Sequence, residues 1–553
     1  MSDRITRRSL LRSVASLPAA VAGAAPALRP DTLDLRGPLR GAVACLIHRM
    51  DPSQNYRPWF AVAVEHGKPV RLRHDNWDFG DTSGRFLEAL ILARQMIPAS
   101  SEMQFGEERI RRFLLSLFQD GVIANPDQKA PDHMFAQGGA LYALVTDYEA
   151  QPTAAARARI EHLIKSLSRL AVRTGDYLWF PQVATKIAPC SHMAAYQVLP
   201  VVRYYELTGH PEALAYAERL SRWVLFHDPT VNEDGVIGKT GWEGHLHAWM
   251  DTFSGIIRCS RAGHAFDHGY VATRCRKLYE WVRATQTSPF GWVADSVGAK
   301  TCETDTITSA IRLALELVKE GYPEYWNDIE RFVRNQLVEN QFHDVSGLGI
   351  RDRQTEEGLR GCFESWAHPN DLIGVDDGDI EGCCINGGIR GLFLAHQNAI
   401  VRERNLIRVN LLLSAGTPDL EVASYLPFEG RLDLYPHSPV PVLIRLPDWL
   451  SAGSVRVAGG SDLRRSEEQA GHYLRLDGIS AASKIVLRFE QPERHGIHTV
   501  VEKEYRCLWR GDTVLEMLPE GNRYPTYRRQ AMLASHCPMK HGDLSYQVPR
   551  VHW

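Results

Sequence analysis

The sequence has 553 residues, of which 44% are hydrophobic and 23% are charged, and its formal net charge is −3. A chain of this length exceeds what one hydrophobic core organises, so two or three domains are expected. Lys and Arg are spread along the chain without a basic excess, which excludes the electrostatic footprint of a nucleic-acid-binding protein.

The first 27 residues have the features of an export signal. An arginine pair, Arg7-Arg8, precedes a weakly apolar, alanine-rich stretch that ends in small-residue cleavage candidates. This pattern predicts a twin-arginine-type signal peptide over 1–27 and a periplasmic or secreted protein, with a disordered tail as the alternative. Arg12, Pro18 and Gly23 interrupt the stretch, so no membrane span is expected in the mature protein.

From about residue 80 to 400, within a predicted domain over 28–402, apolar side chains recur at helical spacing. Runs such as FLEALILARQMI, ARIEHLIKSLSRLAV, ALAYAERLSRWVLF and SAIRLALELVKE repeat them at three- and four-residue steps. Gly, Pro, Asp and His gather between the runs, as in ELTGHPEA, and the helices follow one another in pairs. The pattern predicts a mainly α domain, an (α/α)6 helical toroid, with a cleft formed by loops at one end.

From residue 403 the period changes to two. Runs such as LIRVNLLLS, LEVASYLPF, PVPVLIRLP and DTVLEML are short strands separated by Pro and Gly turns. They predict an antiparallel β-sandwich over 403–520. Residues 521–553 show no clear period and are expected to form an irregular arm.

The segment NWDFGDTSGR is the first candidate site. It places Trp77, Asp78 and Asp81 just before a helical run, with Arg85 at its end. An aromatic ring that stacks on a sugar, with carboxylates that bind its hydroxyls, would make this a substrate-binding loop. The structural alternative is that Asp81 caps the helix and Trp77 belongs to the core.

Three histidines form a second candidate for substrate contacts. His245 and His247 lie in EGHLHAWMD, and His192 lies in CSHMAAY. On a helix, side chains two residues apart diverge, so the pair is a weak metal motif. Isolated histidines are more often ordinary core or surface residues, and this alternative stays open.

The segment TCETDTITSAIRLAL is a third candidate. Cys302, Glu303 and Asp305 lie where a strongly helical run begins. The positive end of the helix dipole favours a thiolate there. The acids are also common in the first turn of a helix, where they need no further role.

The adjacent thiols in GDIEGCCINGG are the fourth candidate. Ring strain makes Cys383 and Cys384 poor disulfide partners, and they do not form a Cys-x-x-Cys redox motif. Both can bind one ion if the backbone bends. With Cys302 and a carboxylate they would complete a tetrahedral zinc site.

Taken in order, these segments resemble glycoside hydrolase family 127, the β-L-arabinofuranosidase-like proteins. The resemblance includes WDFGDTSGR, YELTGHP, TCETD, GCCINGG, YLPFEGRLDL, IRLPDW and WRGDTVLEMLP. It implies an (α/α)6 barrel with β-sandwich modules, and a zinc ion held by three cysteines and a glutamate. One of those cysteines attacks the anomeric carbon, with retention of configuration.

Residue by residue, Cys302 matches the lone cysteine ligand and Cys383-Cys384 the vicinal pair, with Cys383 as the nucleophile. Two departures accompany this match. Lys300 stands where the family has its ligand glutamate, so Glu303 is predicted as the replacement, with Asp305 and Glu381 as alternatives. The only acid in the preceding loop is Asp295, which, with Glu303 as the alternative, is predicted to act as acid and base.

The sequence therefore predicts an exported, zinc-dependent, retaining glycoside hydrolase that acts on plant or microbial glycans. A non-catalytic carbohydrate-binding protein with a structural metal is the first alternative. A polysaccharide lyase on the same toroid is the second. The sequence does not specify the sugar, the linkage or the oligomeric state.

Overall fold

The computed structural model describes residues 28–181, 188–374, 378–468, 472–542 and 549–553. The predicted signal segment, residues 1–27, lies outside these ranges. Among the described residues, no helix has the length and apolar character needed to cross a membrane.

The N-terminal two thirds of the chain form a ring of paired helices. Helices α1 to α14 span Arg36–His48, Gly80–Ala93, Ser101–Ser116, Met134–Ala150, Ala154–Leu170, Ser191–Ala195, Val198–Thr208, Pro211–Phe226, Leu246–Ala262, His268–Thr285, Thr304–Lys319, Tyr325–Phe332, Arg353–Leu359 and Cys383–Ala399. Helices α2, α4, α7, α9, α11 and α14 each pack against the next, and α14 packs against α2 to close an inner ring. Helices α1, α3, α5, α8, α10 and α12 lie outside it. The mainly α, six-hairpin toroid predicted from the sequence is confirmed.

Burial explains why the two rings differ in sequence. Every residue of α2 is buried, because an inner helix meets neighbours on all sides. The outer helix α5 buries a single stripe that includes Ile160, Leu163, Ile164 and Leu167. Such a stripe, at three- and four-residue steps, is the amphipathic pattern of a helix with one face in water.

The strands form small sheets in the loops and larger sheets in the C-terminal third. Strands β1 to β25 span Leu28–Pro30, Met50–Asp51, Arg57–Pro58, Ala61–Val64, Arg71–Arg73, Phe118–Gln119, Val122–Asn125, Ala130–Pro131, Val172–Thr174, Tyr177–Trp179, Gly378–Glu381, Ile400–Arg402, Ile407–Val409, Ala415–Gly416, Leu420–Ser424, Arg431–Pro436, Val442–Arg445, Arg456–Ala458, Arg464–Glu468, Tyr473–Asp477, Ile485–Arg488, Glu493–Val500, Lys503–Arg510, Thr513–Leu518 and Met539–His541. One sheet, in the order β11-β4-β5, leads the chain into α14.

Two five-stranded sheets, β12-β13-β17-β20-β19 and β14-β15-β16-β21-β18, form the sandwich. Their facing side chains, such as Val422, Ile444 and Leu476, make a core of their own. The strands pair antiparallel except β13 with β17, which run parallel from Ile407↔Val442. The C-terminal antiparallel sheets are thus as predicted, apart from this one pair.

Strands β22, β23 and β24 form a third sheet that belongs to the helical core instead. Buried residues of this sheet, among them Cys507, Trp509 and Met517, pack with the toroid, as do Val551 and Trp553. Alternation of apolar residues predicted these strands, but it carries no information about which core they cover.

A buried polar contact ties the sandwich to the toroid. Arg445 on β17 donates to Asn327 Oδ1 at 2.7 Å and to the backbone oxygen of Asn410 at 2.6 Å. Its guanidinium also pairs with Glu330 of α12. Both charged side chains are at most 3% exposed, so neither can exchange this partner for water.

Candidate active site and metal centre

The candidate active site is a cavity of about 620 Å³ at the end of the toroid where the inner helices begin. Its walls combine aromatic rings with ionisable groups: Phe60, Trp77, Phe135, Trp242 and Trp366, and Asp81, Arg85, His245, Asp295, Glu303, Glu381 and Cys383. The first N–H groups of a helix carry partial positive charge, so this end of the toroid favours anionic side chains.

Cys383 is the first residue of α14, and a strand positions it. Strand β11 ends at Glu381, and the N–H of Gly382 donates to the backbone oxygen of Phe60 at 2.5 Å. The Cys383 thiol then lies 3.4 Å from Glu381 Oε2, 3.7 Å from Glu303 Oε1 and 3.9 Å from Cys384 Sγ. A buried thiol therefore faces the cavity between two carboxylates.

This thiol and three neighbouring side chains form a group that can hold a metal ion. The ligand atoms of Glu303, Asp305, Cys383 and Cys384 all lie within 4.8 Å of one another, and all four residues are buried. Three of the four residues predicted as ligands belong to this group.

Cys302 does not belong to the group, although it was predicted to. It lies before the first turn of α11, and its backbone pairs with Ala367. Its thiol is 3.8 Å from Asn340 Nδ2 and 3.7 Å from the backbone oxygen of Glu303. The fourth member of the group is instead Asp305, inside the first turn of α11.

The chemistry of this donor set fits zinc. Thiolates and carboxylate oxygens are its common ligands, and four of them complete a tetrahedral shell. Among the described residues, Asp305 Oδ1 is buried without a hydrogen-bond partner, which leaves one oxygen available to an ion. Lys300 supplies no carboxylate, but Glu303 and Asp305 on the other side of Cys302 supply two.

Without a cation, burial favours the protonated forms of Cys383, Cys384 and Asp305. The hydrogen bond that the Cys383 thiol donates to Cys384, together with burial, raises the pKa of Cys383 well above its usual value. Burial raises the pKa of Cys384 to about 12 and that of Asp305 to about 7. A divalent ion would reverse this preference, since a coordinating thiol is deprotonated outright.

Glu303 and His245 form a buried ion pair, with Nε2 and Oε2 2.9 Å apart. Burial alone would lower the pKa of His245, but the charge of Glu303 raises it above the usual value. Burial would likewise raise the pKa of Glu303, and His245 lowers it. Glu303 is therefore ionised, which suits a ligand and disfavours the role of proton donor.

Arg85 connects the predicted loop to the metal group. Its guanidinium lies 2.9 Å from Asp81 Oδ1 and 3.1 Å from Asp305 Oδ2. A third nitrogen is 3.4 Å from His247 Nε2. Asp81 thus lines the cavity, and its partner Arg85 orients Asp305.

Asp295 lines the cavity from the loop before α11. Its carboxylate accepts the N–H of Ser296 at 2.6 Å, and its backbone bonds to Leu246 and Thr301. Burial and the nearby charge of Glu303 raise the pKa of Asp295 to about 6. A carboxyl group with this pKa can both donate and accept a proton near neutral pH.

Trp77 and Asp78, neighbours in the sequence, have different surroundings. Trp77 lines the cavity, and its ring lies 4.2 Å from that of His133. Asp78 is fully buried behind the wall, where it accepts hydrogen bonds from Phe60 N, Arg57 and His74. Asp78 therefore holds the loop in place through these hydrogen bonds. It does not line the cavity, where the predicted substrate contact would require it to be.

The three predicted histidines also differ. Only His245 lines the cavity. His247 is buried between Arg85 and Ser309, whose Oγ is 2.8 Å from Nδ1. His192 is buried with its ring 5.1 Å from that of Trp242, and burial keeps its pKa well below the usual value. Of the three candidates for substrate contacts, His245 alone lines the cavity, and His192 and His247 lie behind its wall.

Sequence reasoning missed the aromatic residues Phe135, Trp242 and Trp366, which line the cavity. It also gave Glu381 only as an alternative ligand, although Glu381 Oε2 lies 3.4 Å from the Cys383 thiol, nearer than Glu303 Oε1 at 3.7 Å. The signal for Trp242 was its place in GWEGHLH, directly before the histidine pair at the start of α9.

The fold and the site together define a class: a six-hairpin toroid with thiols and carboxylates at the starts of its inner helices, joined to C-terminal β-sheets. The particular fold is that of glycoside hydrolase family 127. A GH127 β-L-arabinofuranosidase from Geobacillus stearothermophilus T6 matches 88% of this chain over 80% of its own, with 12% identity and a TM-score of 0.57. The family-127 fold expected from the sequence motifs is therefore confirmed.

Two further solved structures agree. A GH127 β-arabinofuranosidase is 15% identical, covers 86% of this chain and 79% of its own, and has a TM-score of 0.58. A structure described as a glycoside hydrolase is 12% identical, with coverages of 89% and 82% and a TM-score of 0.60. No protein-family model matches the sequence, and no curated protein matches it. At these identities the likeness defines the fold alone.

Proposed function

We propose that the protein is a retaining glycoside hydrolase in which Cys383 is the nucleophile. The observation that carries the proposal is the thiol of Cys383, which lies within 3.7 Å of both Glu381 and Glu303 in the wall of the cavity. The likeness to structures of glycoside hydrolases supports the same reading.

The residues of the chain divide the reaction between them. The Cys383 sulfur attacks the anomeric carbon, and Asp295, protonated at its carboxyl group, gives its proton to the departing oxygen. A carbon–sulfur bond forms as the glycosidic carbon–oxygen bond breaks. Asp295 then takes a proton from water, whose oxygen displaces the sulfur and restores the original configuration at the carbon.

Glu303, Asp305 and Cys384, together with Cys383, are the residues that would hold zinc. When bound, zinc supplies the positive charge that keeps the thiol ionised near neutral pH. Arg85 holds Asp305 in place, and His245 holds Glu303. Glu381, whose Oε2 lies 3.4 Å from the Cys383 sulfur, lines the cavity beside it.

The charges of the cavity wall favour hydrolysis of an uncharged sugar over a lyase reaction. A lyase acts on a uronic acid, whose carboxylate needs a free cation. Among the described residues that line the cavity, the cationic side chains are Arg85, which pairs with Asp81 and Asp305, and His245, which pairs with Glu303. Both cations already have carboxylate partners, so neither is free to bind the carboxylate of a uronate.

The test is hydrolysis of a panel of neutral 4-nitrophenyl furanosides and pyranosides, β-L-arabinofuranoside among them. We expect Cys383→Ala to lose at least a thousandfold in kcat/KM on whichever glycoside the parent cleaves. Cys275→Ala, which removes a buried thiol from the outer helix α10, is the matched control and should retain activity. A 2-fluoro glycoside of the same sugar should leave its mass on the peptide that holds Cys383.

Full activity of Cys383→Ala would refute the nucleophile. Binding of oligosaccharides by the parent protein without turnover of any glycoside would favour the alternative, a carbohydrate-binding protein with a structural metal. A product that absorbs in the ultraviolet, from an unsaturated sugar, would favour the lyase.

We also propose that the protein is exported through a twin-arginine-type signal in residues 1–27, supported by Arg7-Arg8 and the alanine-rich stretch. A fusion of these residues to a reporter that is active only after export tests this directly. Replacement of both arginines by lysine should abolish export of the reporter, and unchanged export would contradict the proposal.

A further inference from the structure

Trp242 is unusual among the aromatic side chains of the cavity because it is 45% exposed. Large aromatic rings are normally buried, and an exposed ring at the mouth of a cavity marks a contact surface. Trp242 lies on the short turn Gly241–Gly244, which leads directly into α9. Gly241 has a φ of +56°, a conformation that favours glycine and turns the chain so that the next residue reaches the cavity.

The ring of Trp242 is held firmly from the protein side. Its centroid lies 4.9 Å from that of His245, 5.1 Å from His192 and 6.0 Å from both Trp77 and Phe135. A ring supported by four others loses little freedom when a ligand binds, which favours its use as a stacking platform.

The contacts of Trp242 place its ring nearer the mouth of the cavity than the Cys383 thiol. From the ring of Trp242 the path leads to His245, from His245 to Glu303 at 2.9 Å, and from Glu303 to the Cys383 sulfur at 3.7 Å. A sugar whose anomeric carbon meets that sulfur occupies the interior of the cavity. The next ring along the substrate, which departs as the leaving group, then lies at the mouth.

A hydrogen-bonding group accompanies the platform. His245 uses Nε2 for Glu303, and its Nδ1 is buried with no partner in the parts of the chain that the structure describes. Buried polar atoms are normally hydrogen-bonded, so this nitrogen is available to a ligand hydroxyl. An aromatic face beside such a nitrogen fits an uncharged ring that has apolar C–H groups on one side and hydroxyls at its edge.

We propose that Trp242, with His245 Nδ1, forms a leaving-group subsite that binds an uncharged sugar ring at the mouth of the cavity. This inference rests on the proposed hydrolase function, and it makes the natural substrate a glycoside of another sugar instead of a simple alkyl glycoside.

The test compares two substrates that share the cleaved sugar. One is a neutral disaccharide, with a ring in the leaving group, and the other is the glycosyl fluoride, without one. We expect Trp242→Ala to lower kcat/KM for the disaccharide by roughly tenfold to a hundredfold, the loss of one buried aromatic contact. The loss should be confined to the disaccharide, and Trp242→Tyr should restore most of it.

The matched control is Phe226→Ala, which removes an aromatic side chain that is 48% exposed and lies on the outer helix α8. This substitution should leave kcat/KM unchanged for both substrates. An equal loss on both substrates in Trp242→Ala, or no loss on either, would overturn the subsite while leaving the hydrolase intact.

Binding separates this proposal from the proposed function. Calorimetric titration of Cys383→Ala with the same disaccharide should show binding that Trp242→Ala weakens at least tenfold. If the parent binds the disaccharide in this way but cleaves nothing, the subsite stands and the hydrolase fails. If neither binding nor cleavage occurs, both are overturned.

Discussion

The acid and base role of Asp295 predicts a pH profile that can be worked out from its surroundings. Burial and Glu303 raise the pKa of Asp295 from 3.8 to about 6. At pH 7 a group with this pKa is protonated in roughly one molecule in eleven, whereas an ordinary aspartic acid is protonated in roughly one in 1,600. The surroundings of Asp295 thus increase its protonated fraction at pH 7 by roughly two orders of magnitude.

Because the acid acts in its protonated form, activity should fall as the pH rises through about 6. Between pH 7 and pH 9, kcat/KM for a disaccharide should drop roughly a hundredfold. Asp295→Asn should remove this alkaline limb and lower kcat/KM by roughly 10²–10⁴-fold, the usual contribution of general acid catalysis. A 2,4-dinitrophenyl glycoside, whose leaving group needs no proton, should lose far less.

Asp132→Asn is the matched control. Burial also raises the pKa of Asp132 to about 6, but this carboxylate accepts the N–H groups of Gly80 and His133 and does not line the cavity. The alkaline limb should persist in this variant. An alkaline limb that persists in Asp295→Asn, or an equal loss on both leaving groups, would refute the assignment.

Three further predictions concern stability and metal binding. Arg445→Ala removes one of the two cations that pair with the buried Glu330 and leaves Arg334, so the free energy of unfolding should fall by about 1–3 kcal/mol, against less than about 1 kcal/mol for Arg475→Ala in a partly exposed ion pair. Equal effects in denaturant titrations would contradict this. Arg85→Met removes the partner of two buried carboxylates, Asp81 and Asp305, and should cost about 3–5 kcal/mol, and a cost below about 1 kcal/mol would show that the carboxylates find other partners. Cys384→Ser should weaken zinc binding at least tenfold in competition with a chelator while Cys302→Ser does not, and the reverse order would show that Cys302 is the ligand.

Much of the fold could be predicted because the spacing of apolar residues along the chain indicates the type of each element. The buried stripe of α5, with Ile160, Leu163, Ile164 and Leu167, repeats at the period of a helix, and the pairing of such helices implies a closed ring. The place of β22, β23 and β24 could not be predicted in this way. Their apolar alternation is the same whether they cover the sandwich or, as Trp509 does, the toroid.

The site was predicted where motifs mark the start of an inner helix. Cys383, Glu303 and Asp81 all lie at such positions, and the ring brings them together although 80 residues separate Glu303 from Cys383. Asp78 shows why some assignments failed. Its carboxylate completes a capping arrangement with Asp75, which sequence reasoning does not distinguish from a place in the cavity wall such as that of the adjacent Trp77.

Cys302 differs for a related reason. Cys302 lies two residues before α11 begins, and its backbone pairs with Ala367, which leaves its thiol 3.8 Å from Asn340 Nδ2. Asp305, inside the first turn, faces the ring interior and Arg85 instead. Asp305 belongs to the metal group because it lies inside the first turn of α11, whereas Cys302 lies before it. Sequence spacing alone does not specify where that turn begins.

The central claim is that the thiols of Cys383 and Cys384 and the carboxylates of Glu303 and Asp305 hold one zinc ion beside the nucleophile. A crystal structure of anaerobically purified protein, with diffraction recorded on both sides of the zinc absorption edge, tests it most directly. The account predicts one zinc ion with sulfur–metal distances of roughly 2.3 Å to Cys383 and Cys384. A fully loaded crystal with zinc bound elsewhere, or no zinc after incubation with the metal, would contradict it.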